Sequence, residues 1–272
     1  MEHDSEFHAA LAALAWQVDL GADEAIGEVP VNRYEAVAAS EPVIPKPQTT
    51  APFVPPAARR AVEPPPEAPA VDAVAEARQA AAAARDLDGL REALAAYEHC
   101  ELKKGARTLV FADGNPKARV LVLGEAPGRD EDMQGKPFVG RAGQLLDRMF
   151  AAIGLSRTAP DAEKSLYITN VMVWRPPQNR DPSPEEIAMM LPFVERHIAL
   201  VDPDVIVVMG NTPCAALLGQ RGITRLRGKW AQALGKPVLP MFHPAFLLRQ
   251  PQMKREAWAD LLELQAKLRI TA

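Results

Sequence analysis

Three polar residues stand just past stretches of sequence that are typical of buried strands, namely Glu125, Asn170 and His243. A carboxylate, a side-chain amide and an imidazole are groups that bind polar ligands and transfer protons. Each also has an ordinary structural explanation, because an Asn at a strand end often satisfies backbone groups and a His before a proline is commonly a structural hydrogen-bonding residue. The combination is more specific than any member, and it predicts a ligand-binding crevice.

Acidic side chains surround the first of these residues. An apolar strand pattern at residues 120–123 is followed by a polar loop that holds Glu125, Asp130, Glu131 and Asp132, and a helical pattern resumes near Gln144. In an open α/β sheet such a loop lies at the carboxyl end of a strand, where ligands bind. All four carboxylates are therefore candidate site residues, and the alternative is a solvated acidic loop.

The elements that must position these residues alternate between strand and helix. Strand patterns occur at residues 108–111, 120–123, 166–173, 205–209 and 238–242. Helical patterns occur at residues 143–153, 213–218 and 252–268, and a Ser cap at Ser183 followed by Pro184 begins another helix. This alternation predicts a parallel sheet with helices on both faces, whose strand ends bring Glu125, Asn170 and His243 to one crevice.

The first 71 of the 272 residues have a different composition. Residues 1–30 contain a short helical pattern at 7–17, and residues 7–24 are a candidate docking segment for a protein partner. Residues 31–71 are rich in proline and alanine, and proline lacks an amide hydrogen, so we expect a largely disordered linker. The folded domain is predicted to span residues 72–272.

Charge, apolar runs and cysteines limit the class of protein. The net charge of −4 divides into −9 for residues 1–97 and +5 for residues 98–272, and a basic domain suits contact with phosphates. No apolar run approaches the roughly 20 residues that span a bilayer, and the amino terminus is acidic where a signal peptide is basic, so we expect a cytoplasmic protein without membrane contact. The cysteines, Cys100 and Cys214, form no CxxC pair, which argues against a disulfide framework or a four-cysteine metal site.

Six ordered motifs carry a family resemblance. They are GEAPG (124–128), the pair Glu131-Asp132, GKPFVGRAG (135–143), TNV (169–171), RPPQNR (175–180) and HPAFLLR (243–249). In order and spacing they resemble the family 4 uracil-DNA glycosylases. The resemblance implies a three-layer α/β/α sandwich around a four-stranded parallel sheet, and hydrolysis of the N-glycosidic bond of deoxyuridine in DNA, which leaves an abasic site.

Two functions other than glycosylase activity are alternatives for this sequence. A DNA-binding or abasic-site-binding module of the same fold, weakened in catalysis, is the alternative within the family. A nucleotide enzyme of the Rossmann type is disfavoured, because no GxGxxG follows the first strand and carboxylates at that turn would repel a pyrophosphate.

The resemblance implies catalytic roles for Glu125, Glu131, Asn170 and His243. The Asn170 amide would read the uracil edge, and His243 would donate to the uracil oxygen that gains charge. Glu125 would stabilise the sugar cation or position the water, and Glu131 would lie near uracil C5 and help to exclude thymine, which leaves Asp130 and Asp132 as solvated residues. The remaining base contacts are implied for Ala126, Pro127, Gly128 and the stacking ring of Phe138.

DNA contacts are implied for basic residues and for the HPAFLLR loop. The loop would press into the minor groove through Pro244, Leu247 and Arg249, with Leu247 as the wedge. The substrate would be single- or double-stranded uracil-containing DNA, and we expect a monomer. The side chains expected to hold phosphates are Lys103, Arg107, Arg141, Arg175, Arg180 and Arg249.

One departure from the family pattern concerns a cofactor. Family 4 members usually carry an iron–sulfur cluster on four cysteines, and the corresponding positions here read Tyr97, Cys100, Trp174 and Met190. A single thiolate cannot hold such a cluster. We therefore expect no cofactor, and large side chains that fill the volume instead.

Overall fold

A computed structural model describes residues 72–270. The predicted amino-terminal helical segment and the proline-rich linker, residues 1–71, lie outside the described residues. The domain boundary near residue 72 and the candidate docking segment at residues 7–24 therefore stay predictions.

A six-stranded sheet forms the centre of the domain. Its strands are β1 (Ala112–Gly114), β2 (Val120–Gly124), β3 (Leu166–Asn170), β4 (Val205–Met209), β5 (Ala231–Ala233) and β6 (Lys236–Met241). The spatial order is β1-β3-β2-β4-β6-β5. The predicted parallel sheet is confirmed for the four central strands, and β1 and β5 add antiparallel edges that were not predicted.

The edge strands explain where the strand predictions fail. The predicted strand at residues 108–111 is wrong, because Val110 and Phe111 are buried without entering the ladder, and the strand begins at Ala112. The strand β5 is three residues long and joins β6 through Leu234 and Gly235, both with positive φ. Such a tight hairpin suits the twist of the paired strands, but its strand is too short to show alternation in the sequence.

Helices cover both faces of the sheet. Alternate residues of β2 point in opposite directions, so Leu121 and Leu123 pack with the helices at residues 73–96 and 184–201, whereas Val120 and Val122 pack with those at residues 141–151 and 254–270. The predicted three-layer α/β/α arrangement is therefore confirmed. The helices are α1 (Ala73–Ala83), α2 (Leu87–Ala96), α3 (Leu102–Gly105), α4 (Arg129–Gln134), α5 (Arg141–Ala151), α6 (Pro184–Val201), α7 (Asn211–Leu218), α8 (Ile223–Leu226), α9 (Pro244–Arg249) and α10 (Lys254–Ile270). Among these described helices, none is long and apolar enough to cross a membrane.

The acidic loop after β2 is more ordered than a solvated loop. It contains the short helix α4, and Asp132 in that helix is buried. Its Oδ1 accepts hydrogen bonds from the backbone N–H groups of Arg107 and Thr108, at 2.8 and 3.1 Å. The prediction that Asp132 is a solvated residue is therefore wrong, since its carboxylate holds the backbone at residues 107–108. Asp130 is exposed, as expected.

The buried imidazole of His197, which packs against β3, makes the free energy of unfolding depend on pH. His197 of α6 is 3% exposed, and its Nε2 lies 2.8 Å from the Tyr167 hydroxyl. Burial lowers the pKa of His197 to about 3, from 6.5. The pKa of His197 is lower in the folded state than in the unfolded state. Its contribution to the free energy of unfolding is therefore complete above about pH 6.5 and is lost as the pH falls toward 3.

We expect the free energy of unfolding to fall by roughly 3–5 kcal/mol over that interval through His197 alone. Denaturant titrations at a series of pH values measure this slope. A His197→Gln variant should be less stable at neutral pH but flatter in its pH dependence, and His243, which is present in both proteins, cancels from the comparison. Equal slopes in the two proteins would contradict the prediction.

Candidate active site

The carboxyl ends of the parallel strands form one edge of the sheet, and the predicted site residues lie along it. Asn170 is the last residue of β3 and pairs in register with Gly124 of β2, while Glu125 follows β2 and His243 follows β6. The edge opens onto a cavity of about 220 Å³. All eight residues predicted for catalysis and base contact line this cavity, namely Glu125, Ala126, Pro127, Gly128, Glu131, Phe138, Asn170 and His243.

Asn170 carries an unpartnered polar atom into this cavity wall. Its side chain is 3% exposed, and its Oδ1 has no hydrogen-bond partner among residues 72–270. Buried polar atoms are nearly always paired, and leaving one unpaired costs about 1–3 kcal/mol. Such an atom in the wall of a cavity is available to accept a hydrogen bond from a bound ligand.

Gly124 allows two side chains to approach the floor of the cavity. A Cβ atom added to Gly124 would lie 2.2 Å from Asn170 Oδ1 and 2.5 Å from Phe138 Cε2, closer than real Cβ atoms come. The Phe138 ring lies 5.4 Å from the His243 ring, tilted by 31°. The absence of a side chain at Gly124 therefore lets the Asn170 amide and the Phe138 ring come close together, and the His243 ring lies beside Phe138.

The loop that carries Phe138 is held in an unusual conformation. Phe138 has a φ of 53°, a region that bulky residues rarely adopt. Arg157 donates hydrogen bonds to the carbonyl oxygens of Pro137 and Phe138, both at 2.9 Å, and forms ion pairs with Asp113 and Asp147. Sequence reasoning missed Arg157, because a single arginine in a loop has no spacing that signals this role.

Glu131 joins the two loops that border the cavity. Its Oε1 accepts hydrogen bonds from the backbone N–H groups of Val139 and Gly140, each at 2.9 Å, and its Oε2 accepts one from Gly128 at 3.1 Å. The side chain is 8% exposed. Both carboxylate oxygens are occupied by backbone donors, and this arrangement favours a positioning role over a direct one.

Glu125 has a different environment. It is half-buried, and the Thr212 hydroxyl donates a hydrogen bond to its Oε2 at 2.7 Å. Burial raises the pKa of Glu125, and the hydrogen bond from Thr212 opposes that rise. Thr212 was also missed by sequence reasoning, since it lies 87 positions further along the chain.

The protonation of His243 follows from its place at the start of α9. Its Nδ1 accepts a hydrogen bond from the backbone N–H of Ala245 at 3.2 Å. Burial, with a smaller influence from Arg249, lowers the pKa of His243 to about 4. The ring is therefore neutral at neutral pH, and since Nδ1 is an acceptor, the proton sits on Nε2.

The basic side chains predicted to contact phosphates differ in whether they already bond to other groups of the protein. Lys103 donates to the carbonyl oxygens of Ala95 and Tyr97 and pairs with Glu98, so its ammonium is occupied within the protein. Arg180 lines the cavity and makes a bidentate pair with Glu186. Arg175 is half-buried and donates to Asn179 at 2.9 Å. Four members of the set are exposed, namely Arg107, Arg141, Arg180 and Arg249, and of these Arg180 is engaged by Glu186.

The structure disagrees with the wedge prediction for Leu247. A wedge must be exposed before DNA binds, but Leu247 is fully buried and packs with Leu145, Phe242 and Ala257. The residues of this segment form the helix α9, and its periodicity turns Leu247 inward. Pro244 is also buried, and Leu248 is a partly exposed apolar side chain of the same helix.

The residues at the family's cluster positions form part of an apolar core. Tyr97, Cys100, Trp174 and Met190 are all buried in the same hydrophobic cluster. The Tyr97 hydroxyl donates to the carbonyl oxygen of Ala73 at 2.7 Å, and burial raises the pKa of the Cys100 thiol. A phenol, a thiol, an indole and a thioether are not the donor set that an iron–sulfur cluster requires. These side chains therefore do not fit the group that the family implies.

Comparison with known proteins confirms the resemblance. Residues 111–262 match the uracil DNA glycosylase superfamily. A type-4 uracil-DNA glycosylase of Archaeoglobus fulgidus is 37% identical over 65% of this chain and 91% of its own length. Those of Thermotoga maritima and Sulfurisphaera tokodaii are 40% and 34% identical, over 55% and 66% of this chain and 77% and 83% of their own lengths. The chain belongs to the uracil-DNA glycosylase superfamily and, within it, to the type-4 proteins.

Proposed function

We propose that this protein is a DNA repair enzyme that hydrolyses the N-glycosidic bond of uracil in DNA and leaves an abasic site. The observation that carries the proposal is the unpartnered Oδ1 of Asn170 in the cavity wall. An amide presents an acceptor beside a donor, which matches the N3–H and O4 of uracil and mismatches the amino group of cytosine.

The cavity suits a base that has left the helix stack. A target base inside a duplex is out of reach, so the nucleotide is rotated out and held in a shaped pocket. Phe138 supplies the stacking surface, and backbone groups of residues 126–128 border the base. Glu131 keeps these two segments in register through its three backbone hydrogen bonds. We infer that it limits space near C5 through the loops it holds.

Bond cleavage produces a cationic sugar and an anionic base, and the two sides of the cavity suit these charges. A neutral His243, with its proton on Nε2, donates a hydrogen bond to the uracil oxygen that gains charge. An ionised Glu125 stabilises the sugar cation or orients the attacking water. No metal is needed for either role.

The substrate is DNA, single- or double-stranded, bound by a monomer. The exposed Arg107, Arg141 and Arg249 are the side chains best placed to hold phosphates without regard to sequence. Because Leu247 is buried, we assign the insertion into the base stack to the partly exposed Leu248.

The test is incubation of the full-length protein with a uracil-containing oligonucleotide, followed by alkaline cleavage of abasic sites. We expect scission at uracil but not at thymine in a matched oligonucleotide, and a rate lowered roughly 10²–10³-fold by Glu125→Gln. Binding of uracil-containing or abasic DNA without any cleavage would overturn the proposal and favour the DNA-binding module.

We further infer that the protein carries no iron–sulfur cluster. The support is the donor set at Tyr97, Cys100, Trp174 and Met190, in which Cys100 is the sole thiol. Anaerobically purified protein should be colourless and contain no stoichiometric iron or acid-labile sulfide, while still releasing uracil. Stoichiometric iron together with a visible absorption band would refute the inference.

A further inference from the structure

Thr212 connects two neighbouring strand ends at the edge of the cavity. The strands β2 and β4 pair in parallel, so the chain that leaves β4 at Gly210 lies beside Glu125. Gly210 has a φ of 99°, which side chains disfavour, and this turn begins α7 with Thr212 as its second residue. Thr212 is buried, and its hydroxyl reaches Oε2 of Glu125 at 2.7 Å.

This hydrogen bond is the main restraint on the Glu125 carboxylate. Among residues 72–270, Thr212 is the sole donor of a hydrogen bond to that side chain. The neighbouring carboxylate of Glu131, by contrast, accepts three backbone hydrogen bonds. The orientation of Glu125 therefore depends on one side chain from a different strand end.

The groups around Glu125 act on its ionisation in both directions. Burial is the largest influence and raises the pKa of Glu125, the Thr212 hydroxyl lowers it, Asp181 raises it and Arg221 lowers it. Burial thus favours the neutral acid, and the hydroxyl is the strongest influence against it. The other titratable groups that line the cavity are Glu131, Arg180 and His243.

We propose that Thr212 is a positioning residue for base release, whose hydroxyl holds the Glu125 carboxylate ionised and directed toward the sugar. This proposal rests on the proposed function, because only an ionised carboxylate stabilises a cationic sugar or orients the water as a base. Thr212 acts through Glu125, so removal of its hydroxyl lowers the rate of base release most in the pH range in which Glu125 titrates.

Two substitutions separate the hydroxyl from the packing of Thr212. Thr212→Val keeps the volume and removes the donor, whereas Thr212→Ser keeps the donor and removes a methyl group. The single-turnover rate of uracil release is measured as a function of pH for the full chain. The fall in rate at low pH that is absent in Glu125→Gln is the acid limb of the profile that belongs to Glu125. We expect Thr212→Val to move that limb up by about 0.5–1 pH unit, a loss of about 3–10-fold on the limb, and Thr212→Ser to keep the original limb.

A second readout does not depend on turnover. Carbon NMR of the Glu125 carboxyl, assigned by its absence in Glu125→Gln, follows ionisation directly in the parent protein and in both Thr212 variants. If the parent protein releases no uracil, the proposed function fails, whereas an unshifted Glu125 titration in Thr212→Val overturns this inference alone. A larger defect in Thr212→Ser than in Thr212→Val would assign Thr212 to packing and would also overturn it.

Discussion

Asn170→Ala is expected to lower the rate of uracil release by about 10²–10³-fold while leaving the free energy of unfolding unchanged or slightly higher. Activity falls because the amide that pairs with the uracil edge is removed. Stability does not fall with it, because the Asn170 Oδ1 is buried without a partner in the described domain, at a cost of about 1–3 kcal/mol. The small cavity left by the substitution offsets part of that gain.

Single-turnover rates and denaturant titrations on the same preparations test this combination. Asn170→Asp is the matched control, since it keeps the volume but replaces the amide donor by a carboxylate oxygen. It should lose uracil release as well, and it should also lose stability, because it buries an unpaired charge. An Asn170→Ala protein that lost several kcal/mol of stability would show that the side chain is structural rather than a group kept for the ligand.

The location of the site could be predicted because it depends on topology. Alternation of strand and helix predicts parallel strands, and parallel strands have their carboxyl ends on one edge of the sheet. Glu125, Asn170 and His243 each follow such a strand, so their convergence required no knowledge of distances. The mismatch between the residues at the cluster positions and an iron–sulfur cluster could also be predicted, since it depends only on residue identity. That these four side chains pack in one hydrophobic core could be seen only in the structure.

The residues that sequence reasoning missed all act across long separations in the chain. Thr212 reaches Glu125 through the pairing of β2 with β4, and Arg157 reaches the Phe138 carbonyl from another loop. Neither contact leaves a periodic pattern. The wedge prediction for Leu247 failed because a six-residue helix is too short for periodicity to reveal which side packs inward.

Gly124→Ala is expected to reduce uracil release by roughly 10²-fold or more, which makes Gly124 as important as the residues it accommodates. The added methyl group would collide with Asn170 Oδ1 and with the Phe138 ring, so the amide and the stacking surface must both move. A displacement of about 1 Å in such groups is enough to lower a rate by that factor.

Gly105→Ala is the control for the loss of backbone freedom, because a Cβ atom there meets nothing within 4 Å and Gly105 lies in the short helix α3. It should keep full activity, whereas Gly124→Ala should also lose stability, as Phe138 is already in a left-handed conformation fixed by Arg157 and has little room to adjust. Equal activities in the two variants would mean that Asn170 and Phe138 move aside for the added methyl group without loss of function. In that case base recognition could not depend on the close approach of Asn170 and Phe138 across Gly124.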